Sequence, residues 1–392
     1  MRWMRTIAAA AAMLLVAAAP AKERWTRAWT ASMWQVADDQ VRSLENVTIR
    51  SAVRVGAGGR QLRLRLANDY GPALSVGAAS VRLAGGKAVK VTFDGQASVR
   101  VPEGAPLVSD PIALPVKAFD VVEVSLFFPE STPLVTVHDV VGEQTLISPP
   151  GDHTQADFPA PVEKWRLRPL IAGLDVLTDK PRPVVVAFGD SITDNVGCAN
   201  DAMPRCRWGD VLGRRLAAAG KPHVVVTQAI SGNRILANGT GPSALSRFDR
   251  DVLAVPGVSH VVLLEGINDI GNSGRVVKGA LRPTITADQL LAGYKQLALR
   301  ARERGIKVYA MTILPYEGAM YQTPAGEAMR VQVNAWIRTA KAFDAVIDME
   351  KVMADPANPK RLAANMQGGD NLHPDGRGET AMGEAIDLGL FR

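Results

Sequence analysis

The hydrophobic pattern of the chain changes its period near residue 180, and no single layer of secondary structure satisfies both halves. Up to about residue 176 the alternation is that of strands. Val47, Ile49, Val53 and Val55 alternate with polar or small residues, and Gly56-Ala57-Gly58-Gly59 supplies a turn. Leu62, Leu64 and Leu66 then alternate with Arg63 and Arg65, a hairpin signature. Further alternating runs at 80–83, 89–93 and 121–128 lie between Gly- and Pro-rich turns. Short, regularly spaced strands without helical stretches predict an all-β sandwich or jelly-roll-like domain over 22–178. Trp25, Trp29 and Trp34 fall in it, beside His138 and His153. Tryptophans near a domain seam read as core in preference to a sugar-binding surface.

After Pro183 the pattern is α/β. Runs at 184–188, 223–229, 260–265, 306–313 and 345–349 are short and apolar, as in parallel strands buried on both faces. Helical stretches with start signals lie between them. Thr286-Ala287-Asp288-Gln289 is a capping box ahead of Leu290, Leu291, Tyr294, Leu297 and Ala298, and Gly305 ends that helix. Pro324 follows Thr323 at a first helical position. Five β–α units over 179–392 predict a doubly wound parallel sheet of flavodoxin-like order.

A chain of 392 residues with 47% hydrophobic and 21% charged residues is long and apolar enough for two such cores. The net charge of +6 is dispersed rather than gathered into a block, which argues against a nucleic-acid partner. Adhesion to acidic polymers such as pectin, or to an anionic cell surface, stays open. Residues 1–21 read as a signal peptide: Arg2 and Arg5 precede an apolar run from Ile7 to Ala19, and Ala19-Pro20-Ala21 offers small residues for cleavage. The run is shorter than the ~20 residues needed to span a bilayer, so no stable membrane insertion is expected. A secreted or periplasmic protein is expected instead. In that compartment Cys198 and Cys206, close together in a polar Pro- and Asn-containing loop, are expected to form a disulfide. Zinc is the alternative for the pair, but no histidine lies nearby. Five scattered histidines predict no metal site, and no cofactor is implied.

Open parallel sheets bind ligands at the carboxyl ends of their strands. The first strand runs into Gly189-Asp190-Ser191, the second into Ser231-Gly232-Asn233 and the third into Gly266-Ile267-Asn268-Asp269. Asp370-Asn371-Leu372-His373 follows the fifth. Singly these read as an N-cap, a turn glycine, a loop amide and a surface histidine. Together at successive strand ends they suit nucleophilic catalysis. Ser191 needs a base, neutral His373 is suited to that near pH 7, and Asp370 can fold back within one turn to hold the other ring nitrogen. The N–H groups of Ser191 and Gly232 and the amide of Asn268 are the candidate oxyanion donors. Asp190, Asp194 and Asp269 read as loop-shaping acceptors of backbone N–H groups. Asp194 is the competing triad acid, and Asp370 is preferred for its local spacing to His373.

The segments bearing Ser191, Gly232, Asn268 and His373 resemble, in order, the four blocks of the GDSL/SGNH hydrolase family, over about 184–391. The stretches from Gly232 to Asp249 and from Glu265 to Gly271 are similar to a bacterial secreted subgroup with a β-rich N-terminal domain. The resemblance implies a serine esterase with Asp370 as triad acid, acting on lipids or carbohydrates. The Cys-bearing insert after Gly197 departs from it. The leading expectation is removal of acetyl or another short acyl group from polysaccharide. A lipase, lysophospholipase or arylesterase is second, and a non-catalytic glycan-binding protein third. Residues 271–279 carry Gly, Ser, Asn, Arg275 and Lys278, and the 198–206 loop is polar. Such walls suit a sugar alcohol better than a long fatty-acyl chain.

Overall fold

The computed structural model describes residues 24–139, 144–194, 198, 206–277 and 279–392. The 1–21 leader, Lys278 and the interior of the 198–206 loop lie outside the described residues.

The β-rich half is built on two antiparallel sheets. One has six strands, in the order Glu163–Trp165, Thr145–Pro150, Val47–Arg54, Val121–Phe128, Ala78–Leu83 and Val89–Val91. The other has four, in the order Trp25–Thr30, Ile171–Leu177, Leu62–Asn68 and Ala105–Val108. Strand alternation explains the placement of side chains. Leu62, Leu64 and Leu66 are fully buried, whereas Arg65 on the opposite face bonds Asp175 at 2.6 Å and Arg63 lies 4.1 Å over the Trp25 ring. Asp175 also takes Arg27 Nε at 2.5 Å, so one buried carboxylate is held between two guanidinium groups. The first strand of the half pairs with the last, and no local sequence signal announces that pairing.

The second half contains the parallel sheet. Its strands stand in the order Val224–Ala229, Val184–Gly189, Val258–Leu264, Lys307–Met311 and Ala345–Ile347. In chain numbering this is 2-1-3-4-5, the flavodoxin-like order, and every pairing is parallel. All six residues of Val184–Gly189 are buried. The capping box at Thr286 is present, with Thr286 and Gln289 bonding each other's backbone N–H, and Pro324 opens the helix Pro324–Thr339. No helix among the described residues is long and apolar enough to cross a membrane.

The two halves meet along strand Trp25–Thr30, which packs on Val224–Ala229. Ser32 Oγ donates to Gln228 Oε1 at 2.8 Å, and Gln228 Nε2 donates to Thr30 Oγ1 at 3.0 Å. The helix Ala244–Phe248 and the π-turn Asp249–Leu253 carry two arginines into this seam. Arg247 is fully buried and reaches Ser32 Oγ, Asn233 Oδ1, Asp251, Glu265 and the carbonyls of Gln228 and Gly189. Arg250 bonds Asp69, the Tyr70 hydroxyl and the Met33 carbonyl.

Candidate active site

The four predicted segments converge at the carboxyl edge of the parallel sheet. Strand Val184–Gly189 ends at a residue that must be glycine, because a Cβ there would collide with Thr193 and with the Leu264 carbonyl at 2.5 Å. The chain then turns directly into the short helix Ser191–Asp194. Ser191 Oγ lies 2.8 Å from His373 Nε2. On the other side of the ring, Nδ1 lies 2.6 Å from Asp370 Oδ2. The remaining oxygen of Asp370 accepts the backbone N–H groups of Leu372 and His373, at 3.0 and 2.9 Å. This fold-back passes through Asn371 at φ +58°, a left-handed conformation that asparagine tolerates better than most residues. Partial burial favours the neutral form of Asp370, but the hydrogen bonds from the His373 backbone and ring outweigh it and hold the carboxyl below its ordinary range.

Gly232, at φ +77°, turns the second strand's loop. Among the described residues, neither its N–H nor that of Ser191 is used by a turn or loop hydrogen bond. Asn268 lies in the first turn of Ile267–Asn272, after Gly266 at φ +108°. Its Nδ2 donates one hydrogen to Asp190 Oδ2 at 3.2 Å, and its Oδ1 faces the Tyr321 hydroxyl at 3.4 Å. The amide orientation is thereby fixed, and the second Nδ2 hydrogen is not taken by this pair. A serine held to a carboxylate-backed histidine, beside amide donors, can attack a carbonyl and stabilise the resulting oxyanion.

A family model described as GDSL-like lipase/acylhydrolase matches residues 187–381. The chain carries a domain of that family over those residues. It is an esterase/acylhydrolase. Among solved structures, an acetyl xylan esterase from Geobacillus stearothermophilus is 22% identical, over 52% of this chain and 92% of that one, with a TM-score of 0.41. A GDSL-like lipase from Bacteroides thetaiotaomicron is 20% identical over 54% and 89%, at 0.39. A psychrotrophic esterase from a Pseudoalteromonas species is 15% identical over 52% and 93%, at 0.38. No curated protein matches the chain.

Beneath its site the hydrolase buries three acids, of which Asp190 and Asp269 are the expected loop-shaping acceptors and Glu265 is a further one. Asp269 does accept the N–H groups of Ile235 and Leu236, at 2.7 and 3.0 Å, and Asp190 accepts that of Ile192 at 2.9 Å. Burial raises the pKa of both to about 6, against those same backbone bonds. Glu265 is pushed well above its ordinary range by burial and by the nearby Asp190 charge, with Arg247 opposing. Asp190 has the further role of orienting Asn268, which required knowing that two strand ends are adjacent. Asp194 has a partner that the chain around it does not announce, the His138 ring at 3.3 Å. No metal-ligand cluster occurs among the described residues. Cys198 and Cys206 are joined as a disulfide.

Alongside the hydrolase site runs an open cleft of about 930 Å³. Its lining includes Gly232 and Asn268 but neither Ser191 nor His373, so it borders the candidate oxyanion donors without enclosing the nucleophile and base. Trp34, Gln35 and Tyr70 of the β-rich half line it too. Trp29 is core as expected, whereas Trp34 is half-buried, packed against that core on one side and lining the cleft on the other, beside the Gly241 turn.

Proposed function

We propose that this hydrolase removes short acyl groups, acetyl foremost, from carbohydrate esters through Ser191, His373 and Asp370. The observation that carries this reading is the continuous pair of contacts from Ser191 Oγ to His373 Nε2 at 2.8 Å and from His373 Nδ1 to Asp370 at 2.6 Å. Asp370 keeps the proton on Nδ1, which leaves Nε2 free to take the serine proton as Oγ attacks the ester carbon. The oxyanion is received by the N–H groups of Ser191 and Gly232 and by Asn268 Nδ2, each worth about 3 kcal/mol in the transition state. His373 then protonates the departing alcohol, and water repeats the sequence on the acyl-enzyme. In this reading residues 1–21 direct export to the periplasm or beyond, 22–178 are an accessory β-rich domain, and 179–392 are the hydrolase domain. The polar residues of the cleft, among them Gln35, Asn238 and Asn272, favour a sugar alcohol.

One observation favours a second reading, hydrolysis of lipid esters. Val276, Leu281 and Met320 are strongly exposed, and Val277 between the first two lines the cleft. Comparing kcat/KM for 4-nitrophenyl acetate, butyrate, octanoate and palmitate separates the two. Each methylene that found an apolar groove would contribute about 0.8 kcal/mol. A fall from acetate onward is expected. A maximum at octanoate or beyond would put the lipid reading first.

A further inference from the structure

The cleft has two walls from parts of the chain far apart in sequence. One is the loop that follows Gly232, from Arg234 to Pro242, and the other is the segment 34–40 with Tyr70. Gly232 ties the first wall to the proposed oxyanion donors. The second belongs wholly to the β-rich half. Building that wall needs several restraints, and each is present. Strand Trp34–Gln35 is paired with Thr136–Asp139, and Val36 N–H bonds the Val135 carbonyl at 3.0 Å. Arg250, from the hydrolase half, grips Asp69, the Tyr70 hydroxyl and the Met33 carbonyl at 2.8, 3.1 and 2.9 Å. A Cβ placed on Gly241 would lie 3.1 Å from the Trp34 Cβ, so the two walls touch beside the indole. A wall fixed this firmly loses little freedom when something binds to it.

Its chemistry is specific as well. Trp34 is half-buried, Gln35, Asp38 and Gln40 are exposed, and all four line the cleft. A flat apolar face flanked by amides and a carboxylate complements a pyranose, whose C–H face is apolar and whose hydroxyls radiate from its edge. An acetyl group would fill only a small part of about 930 Å³. The remaining room can take a much larger part of the substrate.

Resting on the carbohydrate-ester reading above, we propose that the β-rich half is part of the substrate site: Trp34 and the 35–40 segment hold the sugar chain that carries the acyl group. The half then selects the alcohol, while the strand-end loops of the parallel sheet supply the chemistry.

The test compares the full-length enzyme with Trp34→Ala and with Gln35→Ala/Asp38→Ala, the latter confined to exposed side chains. Both are assayed on acetylated xylo-oligosaccharides and on 4-nitrophenyl acetate, which lacks a sugar chain. The quantity read is the ratio of the two kcat/KM values, so a partial loss of folded enzyme cancels. Each variant is expected to lower that ratio by about tenfold, mainly through KM on the oligosaccharide. A ratio within about twofold of the parent in both variants would overturn the proposal while leaving the carbohydrate reading intact. If the parent enzyme itself releases no acetate from oligosaccharides yet hydrolyses the aryl ester, the carbohydrate reading fails, and the proposal with it.

Discussion

Asp194 Oδ1 lies 3.3 Å from Nε2 of His138 in the β-rich half, although Asp194 stands one helical turn after Ser191. The other ring nitrogen of His138 lies 2.9 Å from the Ser32 carbonyl. Both ring nitrogens therefore face oxygen atoms, one from each half of the chain. An asparagine at 194 can donate its amide to a neutral ring, whereas an alanine leaves a buried nitrogen without a partner. Asp194→Asn is expected to keep most of the turnover and the melting temperature. Asp194→Ala is expected to lose about 1–3 kcal/mol in denaturant unfolding. Severe loss of turnover in Asp194→Asn, with little loss in Asp370→Asn, would reverse the choice of triad acid.

Ser191→Ala should abolish hydrolysis of 4-nitrophenyl acetate without changing the circular dichroism spectrum. Asp370→Asn should lower kcat at least about a hundredfold, because an amide in that place favours the wrong histidine tautomer. Stopped-flow assays at matched folded-protein concentration measure both. Near-parental turnover of Ser191→Ala excludes the mechanism outright.

Asp190 and Asp269, with pKa values raised to about 6 by burial, make a signed prediction about stability. A carboxyl whose folded pKa exceeds its unfolded value binds more protons when folded between the two. Its contribution is fully present below about 3.9 and is lost as pH rises through about 6. Asp190→Asn should remove one such contribution, so the variant gains less stability than the parent on acidification from pH 7 to pH 4. Urea unfolding at four pH values reads the difference between the two slopes. Parallel slopes would mean that Asp190 does not titrate in that interval.

The Cys198–Cys206 link closes a short loop, so reduction or Cys198→Ser/Cys206→Ser should cost about 2.5 kcal/mol on the chain-entropy estimate. Melting curves with and without reductant measure this, and alkylation followed by intact-mass analysis counts free thiols. Two alkylatable thiols in protein produced in an oxidising compartment would refute the bond.

Arg247→Met is expected to be the most damaging single change outside the site. It leaves Glu265 buried without its guanidinium, removes one of the two guanidinium groups that Asp251 meets, and frees the Gly189 carbonyl just before Ser191. Removing one partner of a buried ion pair typically costs about 3–5 kcal/mol. Lysine cannot reproduce the branched set of bonds, so Arg247→Lys should recover only part of the loss. Full recovery by lysine would show that charge alone is what this position supplies.

Much of this was legible in the sequence because the signals were local. The five buried runs, the Thr286 capping box and the Asp370-to-His373 turn each depend on residues within one element or one loop. The parallel order 2-1-3-4-5 is the flavodoxin-like arrangement expected of five successive β–α units. What stayed hidden was set by tertiary adjacency. Nothing near Asp194 in the chain announces His138, and nothing near Asp190 announces Asn268. Trp34 shares its composition and spacing with Trp29, yet one closes a core and the other faces a cleft, because a strand ends between solvent and the Gly241 turn.

Ser32, Gln228 and Arg247 come from both halves, yet they form a single hydrogen-bonded set. A recombination event that exchanged the first half as a cassette would have to bring a serine to that spot and a carbonyl to meet Arg250, or leave both arginines with only the partners of their own half. Chimeras of distant homologues joined near residue 178 should therefore fail more often than shuffling within either half. In lineages that keep Arg247 and Arg250, the two halves should descend together.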